Sequence, residues 1–258
     1  MALSSRPYAP RSYSSGSLPP GVKWLLITNS AMYVLYFSLM AAGAGHLLNW
    51  AGLVPAQTVG GLRIWQPVTY LFLHSAASFW HILLNMLTLY MFGADLERQW
   101  GTREFLRYYF LCGIGAGVTV VVASFLFGNP TAMTIGASGA IYGLLMAFGM
   151  LYPDRQILFS FLFPIPAKYF VLILGAIAFL STVGTSGGGG VSHVAHLGGL
   201  VCGYFYLRSR RRRAGFRGRA WDAPGWLSRQ YKEWRLRRAK RKFEVYLREH
   251  RSAKRDEP

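Results

Sequence analysis

A serine at the start of an apolar segment is the residue whose surroundings first suggest chemistry. Ser138 lies between Gly136 and Gly139, at the beginning of an apolar run from Ile135 to Tyr152. If the chain becomes helical near Ser138, its hydroxyl lies at a helix N-terminus, where backbone N–H groups are unpaired and the helix dipole favours a developing negative charge. A buried serine in this position is either a helix cap or a nucleophile.

Histidine and asparagine side chains lie in two other apolar segments. His81 and Asn85 are four residues apart and therefore share one face of a helix. His193 and His196 lie together further along the chain. Ionisable groups in such segments are costly to bury and are therefore candidates for function. Amide hydrolysis needs an activated nucleophile, a base that later protonates the leaving amine, and donors aimed at the tetrahedral oxyanion, and the three segments hold side chains for each role.

The composition indicates that these segments belong to a membrane protein. The chain has 258 residues, of which 52% are hydrophobic, 16% aromatic and 15% charged, and its mean hydropathy is +0.25. These values are typical of a polytopic membrane protein and exclude an ordinary soluble globule. Cys112 and Cys202 both lie in apolar runs, so we expect packing residues there and neither a disulfide framework nor a zinc site.

Hydropathy predicts an all-α fold, a polytopic membrane protein whose helices cross the bilayer six times. The predicted spans are 24–42, 79–94, 105–127, 135–152, 169–183 and 191–207. The segment between the first two spans is predicted to be an external loop with pieces that are partly embedded in the membrane.

The distribution of charge predicts the topology. Of the 28 Lys and Arg residues, 19 lie in 208–258, and the loops after the third and fifth spans hold none. Because cytoplasmic loops carry the excess of Lys and Arg, both termini are predicted to be cytoplasmic. Ser138, His81 and His196 then meet toward the extracytoplasmic side. The formal net charge of +18 is therefore interpreted as a topology signal, and nucleic-acid binding is not expected.

Three regions of the chain are distinguished by composition. They are a disordered cytoplasmic tail at 1–22, a membrane domain at 23–207 and a basic cytoplasmic tail at 208–258. Within the basic tail, 226–247 has apolar residues at helical spacing, which suits an amphipathic helix lying on anionic lipid; a solvated tail that only fixes topology is the other interpretation. A signal peptide competes with the first span, since small residues at 41–44 resemble a cleavage site. The glycine-rich 184–190 is predicted to be a flexible linker.

Glycines near the polar residues allow close helix packing. Gly199 and Gly203 follow His196 on its own helix face. The segment after Ser138 holds a similar pair, beginning with Gly139. Small residues at such spacing let two helix backbones approach closely, which would bring a serine and a histidine from different helices within hydrogen-bond reach.

These residues also resemble a known family. Gly136-Ala137-Ser138-Gly139 is similar to the G-x-S-G signature of the rhomboid intramembrane proteases. Ala195-His196-Leu197-Gly198-Gly199 is similar to the last core helix of that family. His81-x-x-x-Asn85 and the run Glu97-Arg98-Gln99-Trp100-Gly101 match further parts of its pattern. The resemblance covers 24–207 and implies a six-transmembrane-helix, rhomboid-like bundle.

The resemblance implies a role for each of the polar residues. Ser138 is implied as the nucleophile and His196 as the general base, with no acidic third member. His81, Asn85 and the backbone N–H of Ser138 are implied as the oxyanion site. The expected supporting residues are Gly136, Gly139, Tyr142, Gly199 and Gly203. His193 is then a loop-side or water-access residue.

Two details of this site and its loop stay open. Tyr142 is expected to pack against the ring of His196, and an ordinary core tyrosine is the other interpretation. The Trp-Arg pair of some family members reads Trp65-Gln66 here, and two extra residues separate His74 from His81. Both departures lie in the external loop and bear on its lipid contacts rather than on the active site.

The predicted function is that of an intramembrane serine endopeptidase that hydrolyses peptide bonds in or near the transmembrane segments of membrane proteins. The resemblance implies single-span substrates with a small residue at the cleavage point and a helix-weakening stretch beyond it. Neither a metal nor a cofactor is expected.

The alternative is a catalytically inactive rhomboid-like protein that binds transmembrane clients, although such relatives usually lack the serine or the histidine that this chain keeps. A transporter is less favoured, because the spans carry Asp and Glu only at their ends. The predicted location is a bacterial plasma membrane, with an organelle membrane as the other interpretation.

Overall fold

The structure, a computed structural model, describes residues 17–159, 163–184 and 190–214. The α-helices are α1 (Pro20–Ala41), α2 (Pro55–Val59), α3 (Gln66–Thr69), α4 (Phe79–Thr88), α5 (Ala94–Trp100), α6 (Thr102–Phe127), α7 (Ser138–Leu151), α8 (Ala167–Gly184) and α9 (Gly190–Ala214). Two 3-10 helices, Gly45–Ala51 and Tyr70–Phe72, lie in the loop between α1 and α4. The predicted N-terminal tail up to residue 16, the linker at 185–189 and the basic tail from 215 onward lie outside these ranges.

Two of the helices in this part of the chain are long and apolar enough to cross a membrane by themselves, α1 and α6. The apolar helices Ser138–Leu151 and Ala167–Thr182 are shorter. Each of the six predicted spans coincides with helical structure, but the number of membrane crossings stays a prediction. A crossing needs about 20 apolar residues, and the shorter helices fall below that length.

The second predicted span differs from the expectation at its end. After α4 the helix widens into a π-helical turn, Leu89–Gly93. It then continues as α5 through charged residues between the second and third predicted spans, where the prediction has no helix. Gly101, with a φ of +81°, ends α5 and lets α6 begin at Thr102. The prediction ended the span at Ala94, before the charged residues, because it followed hydropathy, whereas Asp, Glu, Arg and Gln are all compatible with a helix.

A buried carboxylate explains why this charged turn is folded. Glu97 is 2% exposed, and its side chain accepts hydrogen bonds from the backbone N–H groups of Gly21 and Val22 at 2.8 and 2.7 Å. The hydroxyl of Thr102 donates a third hydrogen bond to Glu97 at 2.7 Å. The first N–H groups of a helix have no partner within it, so Glu97 completes the N-terminus of α1 from a distant part of the sequence.

The prediction of an all-α fold left out a short hairpin between α7 and α8. Strands β1 (Gln156–Phe159) and β2 (Phe163–Pro166) pair antiparallel, with Gln156 opposite Pro166 and Phe159 opposite Phe163. Aromatic and β-branched residues favour this pleated arrangement. Pro164 and Pro166 lack the N–H that a helix interior needs, which keeps the segment from joining α8.

Small residues pack α6, α7 and α9 against one another. A side chain at Gly139 would meet Ala116 of α6, and one at Gly143 would meet Cys112 of the same helix. A Cβ at Gly199 would overlap the Gly139 carbonyl. The backbones of α7 and α9 are therefore in direct contact at this level. One turn further along α7, the hydroxyl of Tyr108 on α6 donates a hydrogen bond to the Gly143 carbonyl at 2.7 Å.

The loop between α1 and α4 is fastened to the segment that precedes α7. Leu53 and Thr134 form an isolated antiparallel bridge, with N···O distances of 3.0 and 2.8 Å. Gln66, which is fully buried, holds the loop itself together by accepting hydrogen bonds from the Val54 N–H and the Thr58 hydroxyl and donating to the Trp50 carbonyl. The segment that leads into Ser138 is thus held by hydrogen bonds to an ordered loop.

Candidate active site

Helix α7 begins at Ser138, after a backbone turn that only glycine adopts easily. Gly136 has a φ of +126°, and its N–H donates to the Tyr70 carbonyl at 2.9 Å. A Cβ at Gly136 would lie 2.9 Å from Nε2 of His81 and 3.8 Å from Oγ of Ser138. Glycine therefore provides the turn and also leaves an open volume between the histidine and the serine.

Ser138 and His196 are within hydrogen-bond distance. The His196 Nε2 atom lies 2.9 Å from the Ser138 Oγ atom, although the two residues are 58 positions apart in sequence. The close contact of α7 with α9 at Gly139 and Gly199 allows this approach. If the neutral imidazole carries its proton on Nδ1, the serine hydroxyl donates to Nε2.

The Tyr142 ring lies flat against the His196 ring. The ring centroids are 4.2 Å apart and the planes differ by 3°. Tyr142 is one turn after Ser138 on α7, so the nucleophile candidate and the stacking residue come from the same helix. The His193 ring is nearly perpendicular to that of His196, with the two centroids 5.9 Å apart. The hydrogen bond of the Ser138 hydroxyl is with His196.

His81 and Asn85 lie on the facing helix α4. Asn85 is buried, and its Nδ2 donates to the His81 carbonyl at 2.7 Å, which uses one of the two N–H bonds of the amide. The Nδ1 atom of His81 accepts a hydrogen bond from the Ser75 backbone N–H at 3.3 Å. Both side chains border the same cavity as Ser138 and His196.

The cavity has a volume of about 570 Å³ and continues beyond the polar residues into an apolar region. The apolar wall is formed by residues of α4, α7 and α8, among them Leu84, Leu145, Phe170 and Leu174. In the ranges that the structure covers, no group of three or more His, Cys, Asp or Glu residues could hold a metal ion.

A second buried histidine lies behind His81, in the loop that leads into α4. His74 is fully buried, and its ring centroid is 5.2 Å from that of His81. Burial, and to a smaller extent the neighbouring His81, lower the pKa of His74 to about 4. His74 is therefore neutral at physiological pH and adds no charge behind the cavity.

Comparison with known proteins assigns the chain to a family. The family model of the Rhomboid domain matches residues 61–213, which include Ser138, His196, His81 and Asn85. The chain belongs to the rhomboid family. The chain is 30% identical to the putative rhomboid protease YdcA of Bacillus subtilis over 192 residues, which cover 74% of this chain and 87% of that protein. Membership of the rhomboid family implies an integral membrane protein.

Two further relatives are longer than the matched region. The chain is 32% identical to the mitochondrial Rhomboid protein 1 of Saccharomyces cerevisiae over 51% of its own length, which corresponds to 38% of the yeast protein. It is 34% identical to the rhomboid protease GluP of Bacillus subtilis over 55% of its length, which corresponds to 25% of GluP. The similarity with these two rhomboid proteins is thus confined to a shared domain.

The sequence interpretation did not identify the groups that support the site from the loop. They are the Tyr70 carbonyl, the Ser75 N–H and the buried His74 ring. The first two are a backbone carbonyl and a backbone N–H. Every residue except proline has both groups, so residue type gives no signal for them. For His74, the available signal in the sequence was the pair of extra residues that separates it from His81.

Proposed function

We propose that this rhomboid-family chain is an intramembrane serine endopeptidase in which Ser138 is the nucleophile and His196 the general base. The observation that carries the proposal is the 2.9 Å distance between His196 Nε2 and Ser138 Oγ inside a cavity. A nucleophile and a base in direct hydrogen-bond contact are the minimum that acyl transfer requires. Relatives that are named as proteases add support to this assignment.

The proposed reaction follows from these two side chains. The Ser138 oxygen attacks the carbonyl carbon of the scissile peptide bond while its proton passes to His196 Nε2. The protonated His196 then gives that proton to the leaving amine, and the C–N bond breaks to leave an acyl group on Ser138. Water, deprotonated by His196, releases the acyl group and restores the serine. The Tyr142 ring, stacked at 4.2 Å, supports the orientation of the imidazole that a third acidic residue provides in other serine hydrolases.

The proposed oxyanion site lies at the open volume beside Gly136. His81 Nε2 is 2.9 Å and Ser138 Oγ is 3.8 Å from the point where a side chain of Gly136 would begin. The Ser138 N–H is in the first turn of α7 and lacks an intrahelical partner, and Asn85 has a second amide N–H to offer. Donors that are fixed before the reaction stabilise the developing negative charge without reorganisation.

The proposed substrates are single-span membrane proteins with a small residue at the cleaved bond and a weakened helix beyond it. The apolar wall formed by Leu84, Leu145 and Leu174 suits a transmembrane segment that enters the cavity from the bilayer. The polar end at Ser138 requires an unfolded stretch of backbone, since helical carbonyls are occupied by hydrogen bonds.

The proposed topology has six membrane crossings with both termini in the cytoplasm of a bacterial cell. Ion pairs among the described charges support this arrangement by joining segments that the positive-inside rule assigns to one side. Asp95 pairs with Arg155 at 2.7 Å, and Asp154 pairs with Lys168 at 2.6 Å. Glu104, near the start of α6, contacts Arg210 near the end of α9. The basic tail beyond α9 is proposed to lie on anionic lipid.

The decisive experiment is cleavage of a model single-span substrate in detergent by four proteins: the wild type and the variants Ser138→Ala, His196→Ala and His193→Ala. We expect the first two variants to lose turnover by at least about 10³-fold, because nucleophile and base act as one unit. The His193→Ala variant should retain most of it and is the matched control on the same helix. Equal activity of wild type and Ser138→Ala would refute the assignment, and tight substrate binding without cleavage in every protein would favour the client-binding alternative.

A further inference from the structure

A backbone amide determines which nitrogen of His81 carries the proton. The N–H of Ser75 donates to His81 Nδ1 with an N···N distance of 3.3 Å. A neutral imidazole has one donor and one acceptor nitrogen, so a histidine that accepts at Nδ1 carries its proton at Nε2. The hydrogen bond therefore selects the Nε2–H form of the ring.

The selected nitrogen is the one that borders the open volume. His81 Nε2 lies 2.9 Å from the point where a Gly136 side chain would begin, and Ser138 Oγ lies 3.8 Å from the same point. In the Nε2–H form, His81 presents a donor to this volume. In the Nδ1–H form it would present a lone pair, which repels a negatively charged oxygen.

The position of the Ser75 amide is fixed by the loop around it. The two residues before Ser75, Leu73 and His74, are buried, and the Ser75 carbonyl accepts a hydrogen bond from the Ser78 N–H at 3.4 Å. That turn leads directly into α4, where the His81 N–H donates to the Ser78 carbonyl at 3.1 Å. The donor and the imidazole are thus parts of one short, hydrogen-bonded segment, with the His74 ring packed behind it.

We propose that the backbone N–H of Ser75 is a positioning group that holds His81 in the Nε2–H tautomer, so that its ring donates a hydrogen bond to the oxyanion. The inference rests on the proposed function for the role of that donor. The tautomer itself is a property of the resting protein and can be measured without a substrate.

The test compares two prolines that differ by one position. Ser75→Pro removes the donor N–H, whereas Ala76→Pro keeps it and places proline at the second residue of the turn, where proline is favoured. Ser75→Ala checks that the hydroxyl is not involved. Nitrogen-15 NMR of ring-labelled protein reports the protonation of each imidazole nitrogen, and the signals of His81 are assigned by their absence in His81→Asn.

We expect Nε2–H for His81 in the wild type, Ser75→Ala and Ala76→Pro, and a shift toward Nδ1–H in Ser75→Pro. We further expect kcat of Ser75→Pro to fall by about 10-fold or more with little change in KM, since an oxyanion donor acts in the transition state. An Nδ1–H form in the wild type would overturn the proposal, and so would a Ser75→Pro protein that keeps both the wild-type tautomer and its kcat. If Ser75→Pro fails to fold, the wild-type spectrum alone decides. An inactive wild type with the Nε2–H form would refute the protease assignment but not the tautomer.

Discussion

The rings of Tyr142 and His196 are parallel to within 3° at a centroid distance of 4.2 Å, although the residues lie on different helices. Stacking of this kind restricts rotation of the imidazole about its side-chain bonds. The orientation of the candidate base is therefore determined by the helix that also carries the candidate nucleophile.

This relationship predicts the effect of changing Tyr142. Tyr142→Phe keeps the stacked ring and should retain most of the activity. Tyr142→Ala removes it, and we expect kcat to fall by about 10- to 100-fold because small misplacements of a catalytic group are costly. Steady-state cleavage of a single-span substrate measures both variants. Equal losses in Phe and Ala would show that the hydroxyl, and not the ring face, is the important feature.

The contact between α7 and α9 predicts strong intolerance at Gly199. A Cβ there would overlap the Gly139 carbonyl, so Gly199→Ala should push the helices apart, lower stability by about 1–3 kcal/mol and separate Ser138 from His196. Gly175→Ala on α8 is the control, since its Cβ would meet only Leu200 at 3.4 Å, an ordinary contact. Gly199→Ala alone should show a lower thermal unfolding midpoint in detergent and a lower rate of substrate cleavage. A Gly199→Ala protein with wild-type stability would contradict the packing described for these helices.

The buried carboxylate of Glu97 predicts a loss of stability without a direct effect on chemistry. Glu97→Gln keeps the shape but replaces one acceptor oxygen with an NH₂ group that faces an N–H donor of α1. We expect a destabilisation of about 2–3 kcal/mol, because three hydrogen bonds to a buried charge are disturbed. Asp154→Asn is the control, since that side chain is 81% exposed. Unfolding midpoints that match in the two variants would show that α1 does not depend on this cap.

The low pKa of His74 predicts a dependence of stability on pH. The folded-state pKa of about 4 lies below the ordinary value of 6.5, so the unfolded chain binds more protons between these two values. Stability should be full above pH 6.5 and should decrease as the pH falls toward 4, by about 1.4 kcal/mol per pH unit from this group. His74→Gln should flatten the dependence of the unfolding midpoint on pH in this window. An unchanged slope in His74→Gln would contradict the assignment.

The sequence was most informative where function constrains local residue types. The glycines around Ser138 and after His196 predicted two helices in close contact, and the structure has α7 and α9 touching through those positions. The predicted span began at residue 135, with a helix start near Ser138 as a condition for the chemistry, and α7 begins at Ser138.

The features that the sequence did not predict depend on partners far along the chain. Glu97 lies 76 positions after Gly21 and 75 after Val22, the two residues of α1 whose N–H groups donate hydrogen bonds to it. A contact at this sequence separation gives no local signal, so the prediction had no helix at the charged turn. The hairpin before α8 lies between the fourth and fifth predicted spans, in an apolar stretch where hydropathy alone does not identify strands. The bridge between Leu53 and Thr134 uses only backbone atoms, which no residue pattern identifies.

The neutral, buried Gln66 in the loop between α1 and α4 has a consequence for how the protein responds to salt. Its hydrogen bonds to Val54, Thr58 and Trp50 join uncharged groups. Dissolved ions screen interactions between formal charges but have little effect on buried amide dipoles. The loop that supports the segment before Ser138 should therefore keep its structure over a wide range of ionic strength, and salt concentration should have only a weak effect on the candidate site.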